Sequence, residues 1–252
     1  MQETKHRKLN VGCGFDHRQG YVNVDMHDRH KPDVVANVLD LAAFPTGYYE
    51  ELVAQDVLEH VTREDVRKAL FEWNRVLALG GKIFIRTTEL GGLFRLLEAP
   101  ENQAIEDQER LIQNIFGTQA YQGDFHLSGF TEPLFRYYLW EAGFEVDSLS
   151  LHNGAFLDAW AHKTKDLGFE DEQSPDRSTF VELLGREPSA DELSAPGSGR
   201  ELIRRLLLAD ERRNAMRSKA PVFPRTLHQP GLIRRVARRA KGLVKSALRP
   251  LR

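Results

Sequence analysis

A glycine turn and an acidic residue a short distance further along the chain have the types and spacing of a cofactor site. The turn, Gly12-Cys13-Gly14, follows a short apolar run, and a second strand-like run ends at Asp25. A glycine turn at the carboxyl end of a strand lets a ligand approach the bare backbone. A carboxylate at the tip of the next parallel strand can accept hydrogen bonds from both hydroxyls of a ribose. The pair therefore predicts a site for an adenosine-containing cofactor.

The connection between the turn and the second strand limits which cofactor could bind. Only residues 15–20 separate the glycines from that strand, which leaves room for a single helical turn at most. NAD needs a helix N-terminus beneath its pyrophosphate, and so short a connection does not provide one. We therefore expect an adenosine ligand without phosphates, which points to S-adenosylmethionine.

The elements that must position these residues alternate between strand and helix patterns. Residues 33–41 and 51–60 have the apolar content of strands, and the second of these runs into a loop. Apolar residues then recur at helical spacing over Arg63–Ala78. The pair Gly80-Gly81 predicts the end of that helix, and Lys82–Arg86 predicts a fifth strand. This order predicts an α/β fold with a mostly parallel sheet.

The chain then departs from this alternation before returning to it. Residues 89–129 form an insertion after the fifth strand, with a helix predicted over Gln103–Ile115. Another helix is expected over Thr131–Gly143, where the first residue suits an N-cap and the last is a glycine. Phe144–Leu151 and Ala155–Lys163 predict a closing antiparallel pair of strands.

This succession resembles class I S-adenosylmethionine-dependent methyltransferases, above all the subgroup with a Val-Leu-Glu-His sequence (residues 57–60 here) after the fourth strand. The resemblance spans about residues 8–163. It implies a Rossmann-like sheet, mostly parallel with a closing antiparallel strand, followed by a small helical C-terminal extension. The implied cofactor-binding residues are Gly12, Cys13 and Gly14 beside the methionine part, Asp25 at the ribose with Met26 after it, Asp40 and Leu41 at the adenine edge, and Gln55 and Asp56 on the wall formed by the fourth strand.

Two histidines are candidates for a general base. His126 lies in residues 117–130, a segment rich in glycine, aromatic and polar residues, where this fold places acceptor-binding loops. His60 follows the fourth strand and would face the same opening. A sugar hydroxyl is a poor nucleophile at neutral pH and needs a base within hydrogen-bond reach. We expect His126 to be that base, with a substrate hydrogen bond or a structural contact as its alternatives. We expect His60 to be a structural or substrate-positioning residue, with the role of base as its alternative.

Three neighbours of His126 are further candidates. Asp124 stands two residues before it, and together the two could ligate a divalent cation such as Mg²⁺ or Mn²⁺, although two ligands do not by themselves predict a metal site. Tyr121 and Phe125 offer aromatic surface to the C–H faces of a sugar ring. They are the expected substrate-binding residues.

The segment Gly117–Thr131 resembles bacterial methyltransferases associated with cell-surface polysaccharide and lipopolysaccharide synthesis. The resemblance implies an O-methyltransferase for a sugar hydroxyl of a polysaccharide or lipid-linked glycan. A methyltransferase for a small soluble metabolite and a non-catalytic scaffold in polysaccharide assembly are the alternatives. The intact glycine turn and its acidic partners disfavour the scaffold.

The chain divides into three parts. Residues 1–163 form the methyltransferase domain, residues 164–220 a linker and small helical module, and residues 221–252 a proline-containing connector followed by a basic helix. Within the middle part, a helix is expected near Thr179–Leu184. Leu183–Pro188 with Glu201–Asn214 resembles a helical module that accompanies some polysaccharide-modifying enzymes.

The last part of the chain carries an unusual charge. Residues 230–252 contain eight basic residues and no acid, in a chain whose net charge is −2, so the rest is acidic. Their apolar residues fall on one helical stripe, a pattern suited to an anionic bilayer surface. The alternative is a helix docked on the chain's own acidic body or on a second copy of it. An acidic body with a basic tail does not indicate a nucleic-acid partner.

Composition favours an intracellular location. The sequence has no run of about 18 apolar residues and no apolar stretch typical of a signal peptide at its start. Its one cysteine, Cys13, excludes an internal disulfide and is expected to be a small packed residue rather than a nucleophile. We expect a cytoplasmic protein, attached peripherally to the plasma membrane by its tail.

Overall fold

The computed structural model describes residues 6–121, 123–167, 181, 186–189, 205–223 and 225–227. A seven-stranded sheet lies at its centre. In chain order the strands are β1 (Lys8–Val11), β2 (Val22–Asp25), β3 (Val34–Val35), β4 (Tyr49–Gln55), β5 (Leu77–Thr88), β6 (Phe144–His152) and β7 (Phe156–Lys163). Their spatial order is β3-β2-β1-β4-β5-β7-β6, and β7 runs antiparallel to both of its neighbours. The predicted Rossmann-like class I methyltransferase sheet, with its closing antiparallel pair, is confirmed.

Helices occupy the connections in the second half of the sheet. They are α1 (Val66–Val76), α2 (Leu90–Glu98), α3 (Ile105–Phe116), α4 (Glu132–Glu141) and α5 (Asp210–Lys219), with single 3₁₀ turns at Asp28–His30, Leu58–His60 and Pro100–Asn102. The sequence predicted α3 and α4 to within a few residues but missed α2. In the part of the chain that the structure describes, no helix is long and apolar enough to cross a bilayer.

The two faces of the sheet differ sharply. One rung across four strands consists of Leu9, Leu52, Ile83 and Ala161, all at most 1% exposed and part of the main hydrophobic core with α1 and α4. The rung one residue earlier along β1 carries Lys8, Glu51, Lys82 and His162, which are exposed or half-buried. The connections from β1 to β3 hold no α-helix to cover this second face, because they are too short.

The third strand is much shorter than the predicted run of residues 33–41. Only Val34 and Val35 pair with β2. The chain then turns, because the Asn37 side chain accepts a hydrogen bond from the amide of Leu39 (2.9 Å) and its carbonyl accepts one from Asp40 (2.9 Å). An asparagine that bonds to the backbone two residues later stabilises a turn in place of a strand. The predicted extent was wrong.

The glycine pair after α1 does not end that helix as predicted. The helix ends at Val76, where the amide of Tyr48 donates to the Val76 carbonyl at 3.0 Å and draws the chain onto β4. Leu77 already pairs with Tyr49, and the register shifts before it resumes further along the strand. Gly80, with φ of +78°, lies in this irregular stretch of β5.

The C-terminal part is described only in places. Leu206 and Leu207 are buried in the main core, and Arg212 donates to the backbone carbonyl of Glu141 at 3.3 Å, so this segment packs on α4. The predicted helix near Thr179–Leu184, apart from Val181, and the basic tail lie outside the described residues. The division of the chain into three parts stays a prediction.

Candidate active site

A cleft of about 350 Å³ opens at the carboxyl ends of β1, β2 and β4. This is the edge at which open α/β sheets bind ligands, and the volume suits a small molecule. Its lining residues are Gly12, Gly14, Asp25, Met26, His27, His30, Asn37, Val38, Leu39, Asp56, Val57, His60, Val61, Thr62, Asp65, Tyr121 and Gly123.

The glycine turn forms the floor of the cleft. Gly12 has φ of +62°, and a Cβ there would lie 2.6 Å from Cγ2 of Val57, so the site has no room for a side chain. The amide of Cys13 donates to the Val24 carbonyl at 3.0 Å, which fastens the turn to β2. The Cys13 side chain is 5% exposed and lies outside the cleft lining, and burial raises the pKa of its thiol to about 11. Cys13 therefore serves as a packed residue, since a thiol of this pKa is protonated at neutral pH.

Asp25 is held in place by its neighbours. Its Oδ2 accepts from the amide of Gly14 at 2.9 Å and its Oδ1 from the amide of His27 at 2.8 Å, while Nδ1 of His30 lies 3.0 Å from Oδ1. Burial acts to raise the pKa of the carboxyl, but the two amides and His30 lower it below its ordinary value. Asp25 is thus an ionised acceptor, fixed in orientation, in the wall of the cleft.

The part of the cleft wall that follows β3 differs from the implied adenine edge. Asn37, Val38 and Leu39 line the cleft, whereas Asp40 and Leu41 do not. Leu41 is fully buried in the core, and its amide donates to Glu72 at 3.0 Å. The assignment of Asp40 and Leu41 is therefore corrected to the preceding residues, because the turn that begins at Asn37 ends the strand early. Met26 does line the cleft, with 58% of its surface exposed.

The end of β4 contributes one of its two predicted residues. Asp56 lines the cleft in a left-handed conformation, with φ of +54°, and burial raises the pKa of its carboxyl above its ordinary value. Gln55 lies outside the lining, and its Oε1 accepts from Arg18 at 3.0 Å. The chain leaves β4 after Gln55, and of the two neighbours only Asp56 lines the cleft.

The two predicted histidines contact each other, and of the pair only His60 lines the cleft. Nδ1 of His60 lies 3.2 Å from the Phe125 carbonyl, and Nδ1 of His126 lies 3.0 Å from the Asn114 carbonyl. A carbonyl can only accept, so each Nδ1 carries the hydrogen and a neutral ring then presents a lone pair on Nε2. Burial, together with His60, lowers the pKa of His126, which favours this neutral form. His60 lines the cleft directly.

The acceptor loop (residues 117–128) holds the remaining predicted residues. Asp124 accepts a hydrogen bond from Thr118 within the loop, and its carbonyl accepts from the amide of Gln119 at 3.0 Å. It thereby shapes the loop. Tyr121 and Phe125 are 43% and 41% exposed, and Tyr121 lines the cleft. In the residues that the structure describes, no group of three or more His, Cys, Asp or Glu side chains is placed to hold a metal ion.

Glu59 is a site residue that sequence reasoning left without a role. It is 1% exposed, its carbonyl accepts from the amides of Leu127 (2.7 Å) and Ser128 (3.1 Å), and Thr87 donates to its Oε2 at 3.0 Å. Burial raises the pKa of its carboxyl to about 8, so it is mostly protonated at neutral pH. It fastens the acceptor loop to the end of β4 beside His60. The signal that the sequence offered for this role was an acidic residue, Glu59, directly after the apolar pair Val57-Leu58.

The comparisons with known proteins match this geometry. Residues 9–85, which run from β1 into β5 and carry the glycine turn, Asp25 and Asp56, match the family model of a methyltransferase domain. This segment is similar to methyltransferase domains, and the sheet around it has the class I methyltransferase fold. The cleft suits an adenosine cofactor, because Gly12 leaves its floor bare and the Asp25 carboxyl in its wall is ionised. No curated protein matches this methyltransferase.

Several solved structures are similar to the methyltransferase at low identity. An S-adenosylmethionine-dependent methyltransferase from Methanosarcina mazei is 17% identical with a TM-score of 0.48, over 63% of this chain and 92% of its own. The 1,6-didemethyltoxoflavin-N1-methyltransferase of Burkholderia thailandensis, solved with 1,6-didemethyltoxoflavin and S-adenosylhomocysteine, is 15% identical with a TM-score of 0.43, over 63% and 71%. An S-adenosylmethionine-dependent methyltransferase from Mesorhizobium loti is 17% identical with a TM-score of 0.43, over 62% and 90%.

Proposed function

We propose that this methyltransferase O-methylates a sugar hydroxyl of a bacterial polysaccharide or lipid-linked glycan. The observation that carries the proposal is the contact between two histidines, one of which lines the cleft, each with Nδ1 bonded to a backbone carbonyl. A hydroxyl acceptor must lose its proton as the methyl group arrives, whereas many nitrogen and sulfur nucleophiles need no base. Two basic Nε2 atoms beside the donor cleft therefore favour a hydroxyl.

On the donor side, the chain supplies binding and orientation. Asp25 would accept the ribose hydroxyls, Val38 and Leu39 would contact the adenine, and the carboxylate of Asp56 would pair with the ammonium of the methionine part. S-adenosylmethionine, when bound, brings an already activated methyl group, so the protein needs mainly to align it with the acceptor and exclude water.

On the acceptor side, His126 takes the proton of the hydroxyl at Nε2. Its lowered pKa keeps the ring neutral at the pH of the cytoplasm, and its Nδ1 bond to the Asn114 carbonyl fixes the ring orientation. His60, whose ring lies against that of His126, would hold the acceptor by a hydrogen bond. Which of the two takes the proton is decided by the substitutions described in the Discussion.

A glycan acceptor is supported by the surface beside the histidines. Tyr121 and Phe125 are aromatic and exposed there, and aromatic faces suit the C–H faces of sugar rings. The resemblance of residues 117–131 to methyltransferases of cell-surface polysaccharide synthesis points the same way. A lipid-linked acceptor would lie at a membrane, where the basic residues of the segment 230–252 would attach the enzyme.

The test is transfer of a labelled methyl group. The purified protein is incubated with labelled S-adenosylmethionine and a bacterial extract separated into polysaccharide, lipid-linked and small-molecule fractions. We expect the label in the polysaccharide or lipid-linked fraction, in alkali-stable ether linkage to a sugar. The control is His126→Asn, which should bind the donor and transfer label about 10²–10⁴-fold more slowly. Label confined to the small-molecule fraction would mean that the acceptor is a soluble metabolite and not a glycan.

A further inference from the structure

The helix α3 presents apolar side chains on two of its faces. Leu111 and Ile115 belong to a small hydrophobic cluster with α2, so they form the inward face. Ile105, Ile112 and Phe116 are exposed, and their spacing of seven and four residues places them on one stripe of the helix. A surface helix of a globular protein usually buries its one apolar stripe and leaves the other side polar. The second stripe of α3 therefore has the character of a contact surface.

This stripe continues into the acceptor loop beside the histidine pair. The amide of His126 donates to the Phe116 carbonyl at 3.0 Å, which joins the end of the stripe to the loop. Phe125 and Leu127, on either side of His126 in the chain, are exposed as well. We call Ile105, Ile112, Phe116, Phe125 and Leu127 the insertion face. Apolar surface gathered in one segment marks a place where another body binds.

The chain end nearest to this face is fixed by Glu132, the first residue of α4. Its fully buried carboxylate accepts hydrogen bonds from the amides of Thr226 at 2.8 Å and Leu227 at 2.9 Å, and Leu227 is buried in the main core. Only four residues separate Glu132 from Ser128, whose amide donates to the Glu59 carbonyl at the end of the acceptor loop. Four residues span at most about 14 Å, so Leu227 is held near the acceptor loop.

The connector also passes close to α2. Burial lowers the pKa of Arg95 on that helix, Glu89 raises it, and the positive charge of Arg225 lowers it again. Beyond Leu227 the sequence carries eight basic residues within 230–252. These charges are thus tethered at the part of the domain that bears the insertion face. Exposed apolar side chains combined with lysine and arginine are typical of surfaces that bind an anionic bilayer.

We propose that the insertion face rests on an anionic lipid bilayer, so that the histidine pair receives its acceptor from the membrane. The basic residues beyond Leu227 bring the domain to the anionic headgroups, and the apolar side chains enter the interface. The active site then faces the lipid rather than the cytoplasm. A lipid-linked acceptor, rather than a free polysaccharide, follows only if the proposed glycan function is correct, whereas the membrane contact does not depend on it.

Single labelled cysteines test which part of the domain meets the lipid. The native Cys13 is buried and its thiol has a pKa of about 11, so an introduced cysteine is labelled selectively. Ile105→Cys and Ile112→Cys report on the insertion face. Leu79→Cys is the matched control, because Leu79 is 68% exposed and Ile105 69%, but Leu79 lies near the start of β5, at the opposite edge of the sheet. Each full-length variant carries a polarity-sensitive fluorophore.

We expect vesicles of phosphatidylcholine and phosphatidylglycerol to shift the emission of both insertion-face labels to shorter wavelength and to leave the Leu79→Cys label unchanged. An equal shift at Leu79→Cys, or no shift at any label, would overturn the proposal. Insertion-face labels that already emit at short wavelength without vesicles would overturn it too, since protein would then cover the face.

Vesicle sedimentation gives a quantitative measure. Loss of one apolar side chain from the interface predicts binding about three- to tenfold weaker for Ile105→Ser and Ile112→Ser, with no change for Leu79→Ser. Glu109 stands on the same stripe, four residues after Ile105, and anionic lipid should repel it. Glu109→Gln should therefore bind about two- to fivefold more tightly. Unchanged binding in all of these variants would mean that the basic segment alone meets the lipid, and the proposed orientation would be wrong.

The vesicle experiments contain neither donor nor acceptor, so their failure would leave the glycan function open. Conversely, vesicle binding through the insertion face combined with label only in the small-molecule fraction would keep the membrane contact and reject the glycan.

Discussion

His60 and His126 lie edge to face, with ring centroids 4.8 Å apart and ring planes at 86°. One ring is fastened to the acceptor loop through the Phe125 carbonyl, and the other to the end of α3 through the Asn114 carbonyl. Burial and the neighbouring His60 ring both lower the pKa of His126, because a charge on His60 would disfavour a proton on His126. These two contacts fix the orientation of both rings and join the acceptor loop to the end of α3.

Asparagine substitutions separate the roles of the two histidines. In an asparagine the amide nitrogen can replace Nδ1 as donor to the backbone carbonyl, while the basic Nε2 is lost. We expect His126→Asn to lower turnover about 10²–10⁴-fold with unchanged donor affinity, and His60→Asn to raise mainly the KM for the acceptor. Steady-state kinetics and calorimetry measure both. The opposite pattern would make His60 the base.

The pH dependence of the rate follows from the lowered pKa of His126. A base must be unprotonated, so kcat/KM should fall as the pH drops through that pKa, and the midpoint should lie below the ordinary histidine value of 6.5. Above it the rate should be level near neutrality. The acid limb should disappear from the residual activity of His126→Asn. A midpoint above 6.5 would show that the group is not a buried histidine.

Asp25 should dominate donor affinity, and Asp40 should not contribute. Asp25→Asn removes the charge that strengthens the ribose hydrogen bonds. Charge-assisted bonds contribute about 1.5–3 kcal/mol, so affinity for S-adenosylmethionine should fall at least about tenfold. Asp40→Asn is the matched control, because Asp40 lies outside the cleft lining. Calorimetry that finds a large loss for Asp40→Asn and none for Asp25→Asn would restore the adenine edge implied by the sequence.

The sequence predicted the part of the site that depends on neighbouring residues. The glycine turn and Asp25 end adjacent parallel strands, so their spacing alone brought them together. The adenine wall was misplaced by a few residues because the Asn37 turn competes with strand pairing, and hydrophobic pattern does not register that competition. The contact of Tyr121 with Arg29 depends on how the insertion after β5 folds back over β2, which no local pattern encodes.

The sequence also predicted most of the strands and helices of the fold, but it missed one helix. Five parallel strands were recognisable from their short apolar runs, and α1 from apolar residues at helical spacing. The helix α2 (Leu90–Glu98) was missed, since its first turn contains the glycine pair Gly91-Gly92, which favours a loop. Its first turn is instead capped by the Glu89 side chain, and Gly92 packs where a Cβ would lie 1.9 Å from the Gly154 carbonyl oxygen. Close packing, which pattern does not show, requires the glycine.

Glu59→Gln should stabilise the protein at alkaline pH. The carboxyl has a pKa of about 8 when folded and an ordinary value of 4.5, so the native state holds a proton that the unfolded chain loses. Its contribution to stability is fully present below pH 4.5 and is lost as the pH rises toward and through 8. The melting temperature of the variant should exceed that of the native protein at pH 8.5 and approach it near pH 5. A difference in melting temperature that does not change with pH would mean that Glu59 is not the group that ionises in this range.

Removal of residues 230–252 tests whether the basic segment binds membranes, and these residues lie outside those that the structure describes. The truncation deletes eight positive charges and an apolar stripe but none of the cleft residues. We expect the shortened protein to stay folded, to bind S-adenosylmethionine as before, and to stop sedimenting with vesicles that contain anionic lipid. Full-length binding should weaken as salt rises, because charges are screened over about 8–10 Å at physiological ionic strength, while the apolar stripe should leave some salt-resistant binding. If the truncation instead lowers the melting temperature or changes the oligomeric state, and the full-length protein never sediments with vesicles, the segment packs against protein and the membrane hypothesis is wrong.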